Sequence, residues 1–281
     1  MTVRLGQVNY LNCLPVYHAL EEGLLEFNGE LVAGPPTLLN RMFLDGRLDV
    51  TPISSIEYAR NMDRCVILPD ISISADGRVS SILLFSRYPV TELEGKTIAV
   101  TTSSATSVVL LGILLEHYFH VDVEFIPRRP DLKKMLEEAD GALLIGDDAM
   151  LAHKMVCDEG INLAVTDLGE AWKQFTGEKM VYAVWVARRD FALENPGEID
   201  GLSKLLVASK EMGMSDLAPI IRKSHRLTGL PIPLLEDYFQ TIRYDFDGEF
   251  RRALTMFFDY AYKSGIIEDR ARLNVWGENI G

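Results

Sequence analysis

Strand-like and helix-like segments alternate along the first half of the chain, and this alternation constrains the fold more than any other feature. Val3–Tyr10 has strand composition, and Val16–Gly23 is helical and closes on a glycine. A short strand at Glu30–Ala33, an amphipathic helix at Thr37–Asp45 and a strand at Leu48–Ile53 continue the pattern. This order is typical of α/β folds built on a parallel or mixed sheet.

A second unit of similar size follows further along the chain. The sequence predicts strands and helices in the same alternation at Lys96–Val100, Val108–Tyr118, Val121–Ile126, Asp131–Ala139 and Gly141–Ile145. The chain therefore contains two α/β units rather than one long sheet, and we expect a ligand cleft between them.

Two extended strands connect the predicted units. Val79–Ser86 is expected to cross from the first lobe to the second, and Val181–Ala187 to cross back. The expected division is residues 1–86 plus 188–281 for lobe I and 87–187 for lobe II. The mostly helical C-terminal part, from Pro196 to about Arg272, then belongs to lobe I.

Composition excludes several classes of protein. The 281 residues carry a net charge of −13, which opposes binding to nucleic acid. No apolar stretch is long enough to span a membrane, and the N-terminus does not resemble a secretory signal, so a cytoplasmic location is expected. Three cysteines without CxxC spacing and five scattered histidines predict no disulfide framework and no metal site. The sequence does not indicate an oligomeric state.

The segment Thr101–Ser107 contains six hydroxyl side chains in seven positions, between a strand and an apolar helix. A helix N-terminus presents free N–H groups and a partial positive charge, so it readily binds carboxylate or phosphate. Helix capping explains one of these hydroxyls, but not six. We therefore predict that Thr102, Ser103, Ser104, Thr106 and Ser107 contact an anionic ligand; no phosphate-loop motif accompanies them.

Other polar residues follow the remaining strands, where ligands gather in open α/β sheets. They are Tyr10, Asn12, Ser54, Ser55, Ser81, Gly146 and Asp147. For most of them a structural role is as well supported as a ligand contact. Asn12 could stabilise its own turn, and Ser54, Ser55 and Asp147 could cap the helices that follow them.

Several segments together resemble the chorismate dehydratases of the futalosine route to menaquinone. The resemblance spans nearly the whole chain in the right order and rests on VNYLNCLPVYHAL, DVTPISSIEYA, PDISISADGRVSSILLFS, TTSSATSV, ALLIGDDAM and DLGEAWKQFTGEKMVYAVWVARRD. It implies a two-lobed periplasmic-binding-protein-like type II fold, in which each lobe is a mixed sheet flanked by helices and the cleft lies between the lobes.

The resemblance also implies an activity and a site. The expected reaction is a carbon–oxygen lyase step that removes water from chorismate, a dicarboxylate, to give 3-[(1-carboxyvinyl)oxy]benzoate without metal or organic cofactor. Asn12 is expected to be the active-site amide and Ser81 to contact the substrate as the second catalytic residue. Ser103, Ser104 and Thr106 would belong to the carboxylate-binding loop, and Gly146 with Asp147 to the opposite wall. The sequence does not indicate which Arg or Lys pairs with the carboxylates.

Two alternatives remain at this point. One is 1,4-dihydroxy-6-naphthoate synthase of the same pathway, which shares the fold; the opening VNYLNCLP and the lack of an evident catalytic His argue against it. The other is a non-catalytic solute-binding protein for an anion, since a fold does not determine a function.

Overall fold

The computed structural model describes residues 2–278 and contains two five-stranded mixed sheets. The first sheet has the order β2-β1-β3-β10-β4 and the second β7-β6-β8-β5-β9. The strands are β1 Arg4–Val8, β2 Glu30–Gly34, β3 Val50–Ser54, β4 Cys65–Ala75, β5 Ile82–Ser86, β6 Thr97–Thr101, β7 Glu124–Arg128, β8 Gly141–Ile145, β9 Ala164–Asp167 and β10 Met180–Arg188. The predicted α/β class with two mixed sheets is confirmed.

Twelve α-helices flank these sheets within residues 2–278. They are α1 Leu14–Glu21, α2 Pro36–Leu44, α3 Ser55–Arg60, α4 Ala105–Leu114, α5 Leu132–Glu138, α6 Gly146–Glu159, α7 Leu168–Thr176, α8 Arg189–Glu194, α9 Pro196–Ser215, α10 Leu217–Thr228, α11 Ile232–Thr241 and α12 Gly248–Lys263. None of the helices in this part of the chain is both long and apolar enough to cross a bilayer.

Parallel pairing places the carboxyl ends of the central strands at the same edge of each sheet. In the first sheet β1 runs parallel to β2 and β3, and in the second β6 runs parallel to β7 and β8. Each sheet also contains one antiparallel connecting strand, β10 in the first and β5 in the second. The loops after β1, β3, β6 and β8 are therefore the ones placed to form a site.

The two connecting strands do not follow the expected boundaries at 86/87 and 187/188. Ile82–Ser86 already pairs within the second sheet, and Met180–Arg188 pairs within the first. The chain passes between the sheets near residues 76–81 and 168–179. Strand composition predicted both strands but could not indicate which sheet would pair with them.

One hydrophobic cluster extends across both sheets and the C-terminal helices, and a second lies between the second sheet and helices α5 and α6. Trp172 on α7 makes edge-to-face contacts with Phe257 and Tyr260 on α12, with ring centroids 6.1 and 5.6 Å apart. α12 also packs on β10 and α4, while α9 packs on α1 and β4. A fully buried aromatic side chain contributes about 1.5–3 kcal/mol, so these helices hold the two sheets in a defined arrangement.

Candidate active site

A cavity of about 630 Å³ opens between the two sheets, at the carboxyl ends of their parallel strands. Nine of the twelve predicted site residues line it: Tyr10, Asn12, Ser54, Ser81, Thr102, Ser103, Ser104, Ser107 and Gly146. The rest of its wall is mainly apolar, with side chains such as Ile53, Val100 and Ile145. A large cavity with a few polar groups set in apolar walls is the usual form of a small-molecule site.

The turn after β1 presents Asn12 to this cavity. Residues Leu11–Cys13 form one 3-10 turn, in which the Cys13 N–H donates to the Tyr10 carbonyl at 3.0 Å. The Asn12 Oδ1 atom is buried and accepts no hydrogen bond from the described residues. Its turn is thus held by backbone contacts, and the side-chain oxygen stays available to a ligand.

Cys13 lies next to Asn12 on the same wall but is not a reactive thiol. Burial raises its pKa to about 12. The group therefore stays protonated at neutral pH, and the thiolate needed for nucleophilic chemistry does not form.

The hydroxyl-rich segment divides into structural and exposed groups. Ser104 caps α4, because its hydroxyl accepts from the Ser107 N–H at 3.2 Å, and Thr101 accepts from the Ser103 N–H at 3.1 Å. Thr102 and Ser103 lie ahead of the helix on the cavity wall. The capping interpretation therefore holds for Ser104, while contact of Thr102 and Ser103 with an anionic ligand stays a prediction.

Ser81 and Gly146 line the cavity from the second sheet, to which the hydroxyl-rich segment is also attached. The Gly146 N–H donates to the Ser81 carbonyl at 2.6 Å, which joins the start of β5 to the start of α6. Gly146 has a φ of +57°, and the Tyr10 ring lies 3.5 Å from where a Cβ would stand. A side chain at this position would be strained by the backbone conformation, although its Cβ would meet Tyr10 at an ordinary contact distance.

Asp167 holds the Ser81 segment in place, a role that sequence reasoning did not identify. Its carboxylate accepts from the N–H groups of Val79 and Ser80, the latter at 2.7 Å, and from the Gly169 N–H at 2.9 Å. Ser80 has a φ of +64°, a strained value for a residue other than glycine. Asp167 compensates for this strain and fixes Ser81 at the cavity.

Three predicted site residues do not line the cavity but make contacts behind it. Ser55 donates to the Val181 carbonyl at 2.7 Å. Thr106 accepts from the Ile56 N–H at 3.0 Å, and Asp147 accepts from the Leu11 N–H at 3.2 Å. The last two bonds join elements attached to different sheets. Burial raises the pKa of Asp147 to about 6, partly offset by the Leu11 hydrogen bond.

Two charged residues, Glu57 and Arg60, line the cavity and were not predicted. They lie on α3, one helical turn apart, and Arg60 Nη1 donates to Glu57 Oε1 at 2.7 Å. The signal in the sequence is their i, i+3 spacing directly after the Ser54–Ser55 strand end. Asn40 on α2 and Tyr182 on β10 also line the cavity and were missed.

Four polar atoms on the cavity wall are buried without a hydrogen-bond partner among residues 2–278. They are Asn12 Oδ1, Asn40 Oδ1, Ser54 Oγ and Tyr182 OH. Buried polar atoms are normally satisfied, so four on one wall indicate that a polar ligand or water completes them. In the same part of the chain no three His, Cys, Asp or Glu side chains are grouped to hold a metal ion.

Comparison with known proteins identifies relatives of this chain. The chain is 32% identical over 265 residues to chorismate dehydratase of Thermus thermophilus, covering 90% of this chain and 93% of the relative. It is also 30% identical over 190 residues to 1,4-dihydroxy-6-naphtoate synthase of the same organism, covering 67% and 66% of the two chains.

The structural comparison concerns the fold alone. The periplasmic aliphatic sulphonate binding protein of Escherichia coli superposes with a TM-score of 0.69 at 15% identity, over 96% of this chain and 89% of that one. The predicted periplasmic-binding-protein-like fold is confirmed. A family described as menaquinone biosynthesis matches residues 3–263. With that match and the 32% identical relative, the chain belongs to the menaquinone biosynthesis family.

Proposed function

We propose that this protein is a chorismate dehydratase, a hydro-lyase that removes water from chorismate to give 3-[(1-carboxyvinyl)oxy]benzoate for menaquinone. The observation that carries the proposal is the set of four unpartnered polar atoms in a largely neutral cavity of about 630 Å³. Chorismate has two carboxylates, a ring hydroxyl and an enolpyruvyl ether, which match amide and hydroxyl partners. The 32% identical relative of that name supports the same substrate.

The reaction requires little from the protein beyond positioning. The C–H bond at the ring carbon that carries the ether breaks, and its electron pair becomes a ring double bond. The C–O bond at the neighbouring ring carbon breaks after the C–H bond is largely broken, and hydroxide leaves. The product ring is aromatic, so the elimination is strongly favoured. Fixing the reacting groups in one geometry can lower such a barrier by about 7–11 kcal/mol.

The proton acceptor in this proposal is the enolpyruvyl carboxylate of the substrate itself. Among the described residues that line the cavity there is no His, Cys13 and Tyr182 have pKa values raised by burial, and the Glu57 carboxylate is paired with Arg60. In this proposal Asn12 donates from Nδ2 to the carboxylate and accepts at Oδ1 from the ring hydroxyl, and Ser81 helps to orient that departing hydroxyl. The transferred proton and the hydroxide together make the released water.

One assay tests the function against its alternatives. Purified protein is mixed with chorismate, and both chorismate and 3-[(1-carboxyvinyl)oxy]benzoate are measured by chromatography. We expect one product molecule for each chorismate consumed. Tight binding of chorismate without turnover would instead support the solute-binding alternative suggested by the fold.

The naphthoate synthase alternative has support of its own, because that relative is 30% identical over two thirds of this chain. An enzyme that left chorismate unchanged but formed 1,4-dihydroxy-6-naphthoate would establish it. A cytoplasmic location stays a prediction; its check is the fractionation of cells that express the protein.

A further inference from the structure

The wall of the cavity is neutral except at one place. Among the described residues that line it, only Glu57 and Arg60 carry full charges; the others are apolar, amide, hydroxyl, thiol or glycine. The chain has a net charge of −13, so long-range attraction does not bring a dianion to this site. Any cationic contact with a bound carboxylate must therefore come from Arg60.

The pair that Arg60 forms with Glu57 is easily rearranged. Both side chains are on α3 and partly exposed, 41% for Arg60 and 25% for Glu57, and solvent screens ion pairs of this kind. A guanidinium has five N–H donors, and the contact to Glu57 uses one of them. Arg60 can therefore donate to a second carboxylate while it still donates to Glu57.

We propose that Arg60 binds the ring carboxylate of the substrate and that Glu57 competes for the same guanidinium. This inference rests on the proposed dehydratase function. The enolpyruvyl carboxylate takes up the ring proton in that reaction, and a guanidinium bound to it would lower its basicity.

A guanidinium bound to the ring carboxylate would instead favour the reaction. The C–H bond that breaks is conjugated with it through a ring double bond, so negative charge spreads onto this carboxylate as the proton leaves. A cation placed there stabilises charge as it develops.

Variants at the two positions should change affinity in opposite directions. Benzoate, which has only the ring carboxylate, is the probe, and its Kd is measured by calorimetry at pH 7.5. Arg60→Met should raise this Kd about 10- to 100-fold, the range for loss of a charged hydrogen bond. Arg60→Lys should recover part of the loss because it keeps the charge. Glu57→Gln should lower the Kd several-fold because the competing carboxylate is gone.

Arg64→Met is the matched control. Arg64 is exposed, donates to the Leu44 carbonyl at 2.5 Å and does not line the cavity, so its removal should leave the Kd for benzoate unchanged. Wild-type protein that fails to bind benzoate, or that binds it no more tightly than Arg60→Met, would overturn the inference. So would a weaker affinity in Glu57→Gln.

The same variants separate this inference from the proposed function. If wild-type protein converts chorismate while Arg60→Met has the same KM, the carboxylate site is wrong and the dehydratase stands. If chorismate is not converted but benzoate binding responds to both variants as expected, the site stands and the function is wrong.

Discussion

Asp147 offers the sharpest physical test, because burial makes its charge costly. A rise in its pKa from 3.8 to about 6 corresponds to about 3 kcal/mol of stability lost when the group ionises. The folded state favours the protonated carboxyl, so this cost is absent below pH 3.8, grows between pH 3.8 and about 6, and is constant at higher pH. Asp147→Asn removes the charge but keeps an oxygen that accepts from the Leu11 N–H. The variant should be more stable than the wild type at pH 7.5 by about 1–3 kcal/mol.

The measurement is the free energy of unfolding in urea, for both proteins, at intervals from pH 4 to pH 8. The difference between them should be near zero at pH 4 and should reach its full value above pH 7. Asp158→Asn is the control, since Asp158 is an exposed residue of the same helix, paired with Lys154; its effect should be small and nearly independent of pH. A variant Asp147→Asn that is less stable at pH 7.5, or whose effect does not change with pH, would refute the account.

Three further substitutions have defined outcomes. Asn12→Asp places a carboxylate where the ligand brings its own, so kcat/KM for chorismate should fall at least ~100-fold, a loss of about 3 kcal/mol; full activity with an ordinary pH profile would disprove the role of the amide. Thr106→Val leaves the buried Ile56 N–H without its partner, so urea unfolding should show about 1–3 kcal/mol of lost stability. Asp167→Ala removes the acceptor that holds Ser80 at positive φ, so kcat should fall more than the affinity for benzoate. A kcat equal to that of the wild type would show that Ser80 and Ser81 keep their positions without Asp167.

The alternation of strands and helices could be predicted because each element has a local signature. β4 was missed, although it is the longest strand, because Pro69 and Asp70 interrupt Cys65–Ala75 in the sequence. In the structure Asp70 has a φ of +63°, and the register with β10 shifts nearby, so two halves of one strand pair on either side of an irregularity. Such a bulge depends on the partner strand, and no local pattern indicates it.

The site was predicted at the level of segments rather than side chains. Strand ends indicated which loops meet, and Asn12, Ser81 and Ser103 do line one cavity. Successive residues of a helix point about 100° apart, so Ser107 lines the cavity while its neighbour Thr106 bonds to another helix. Which residue faces the ligand depends on how the helix is rotated, and tertiary packing sets that rotation.

The neutral wall of the cavity has a consequence for how the protein would respond to a change in cellular acidity. Within residues 2–278 no imidazole lies on that wall, and burial raises the pKa values of Tyr10, Cys13 and Tyr182 away from neutrality. Asp147, behind the wall, is the group whose pKa lies near 6. A decline in rate on the acid side of neutrality would then report the contact between the two sheets rather than proton transfer. If the proposed function holds, the rate of the reaction would change little with pH near neutrality.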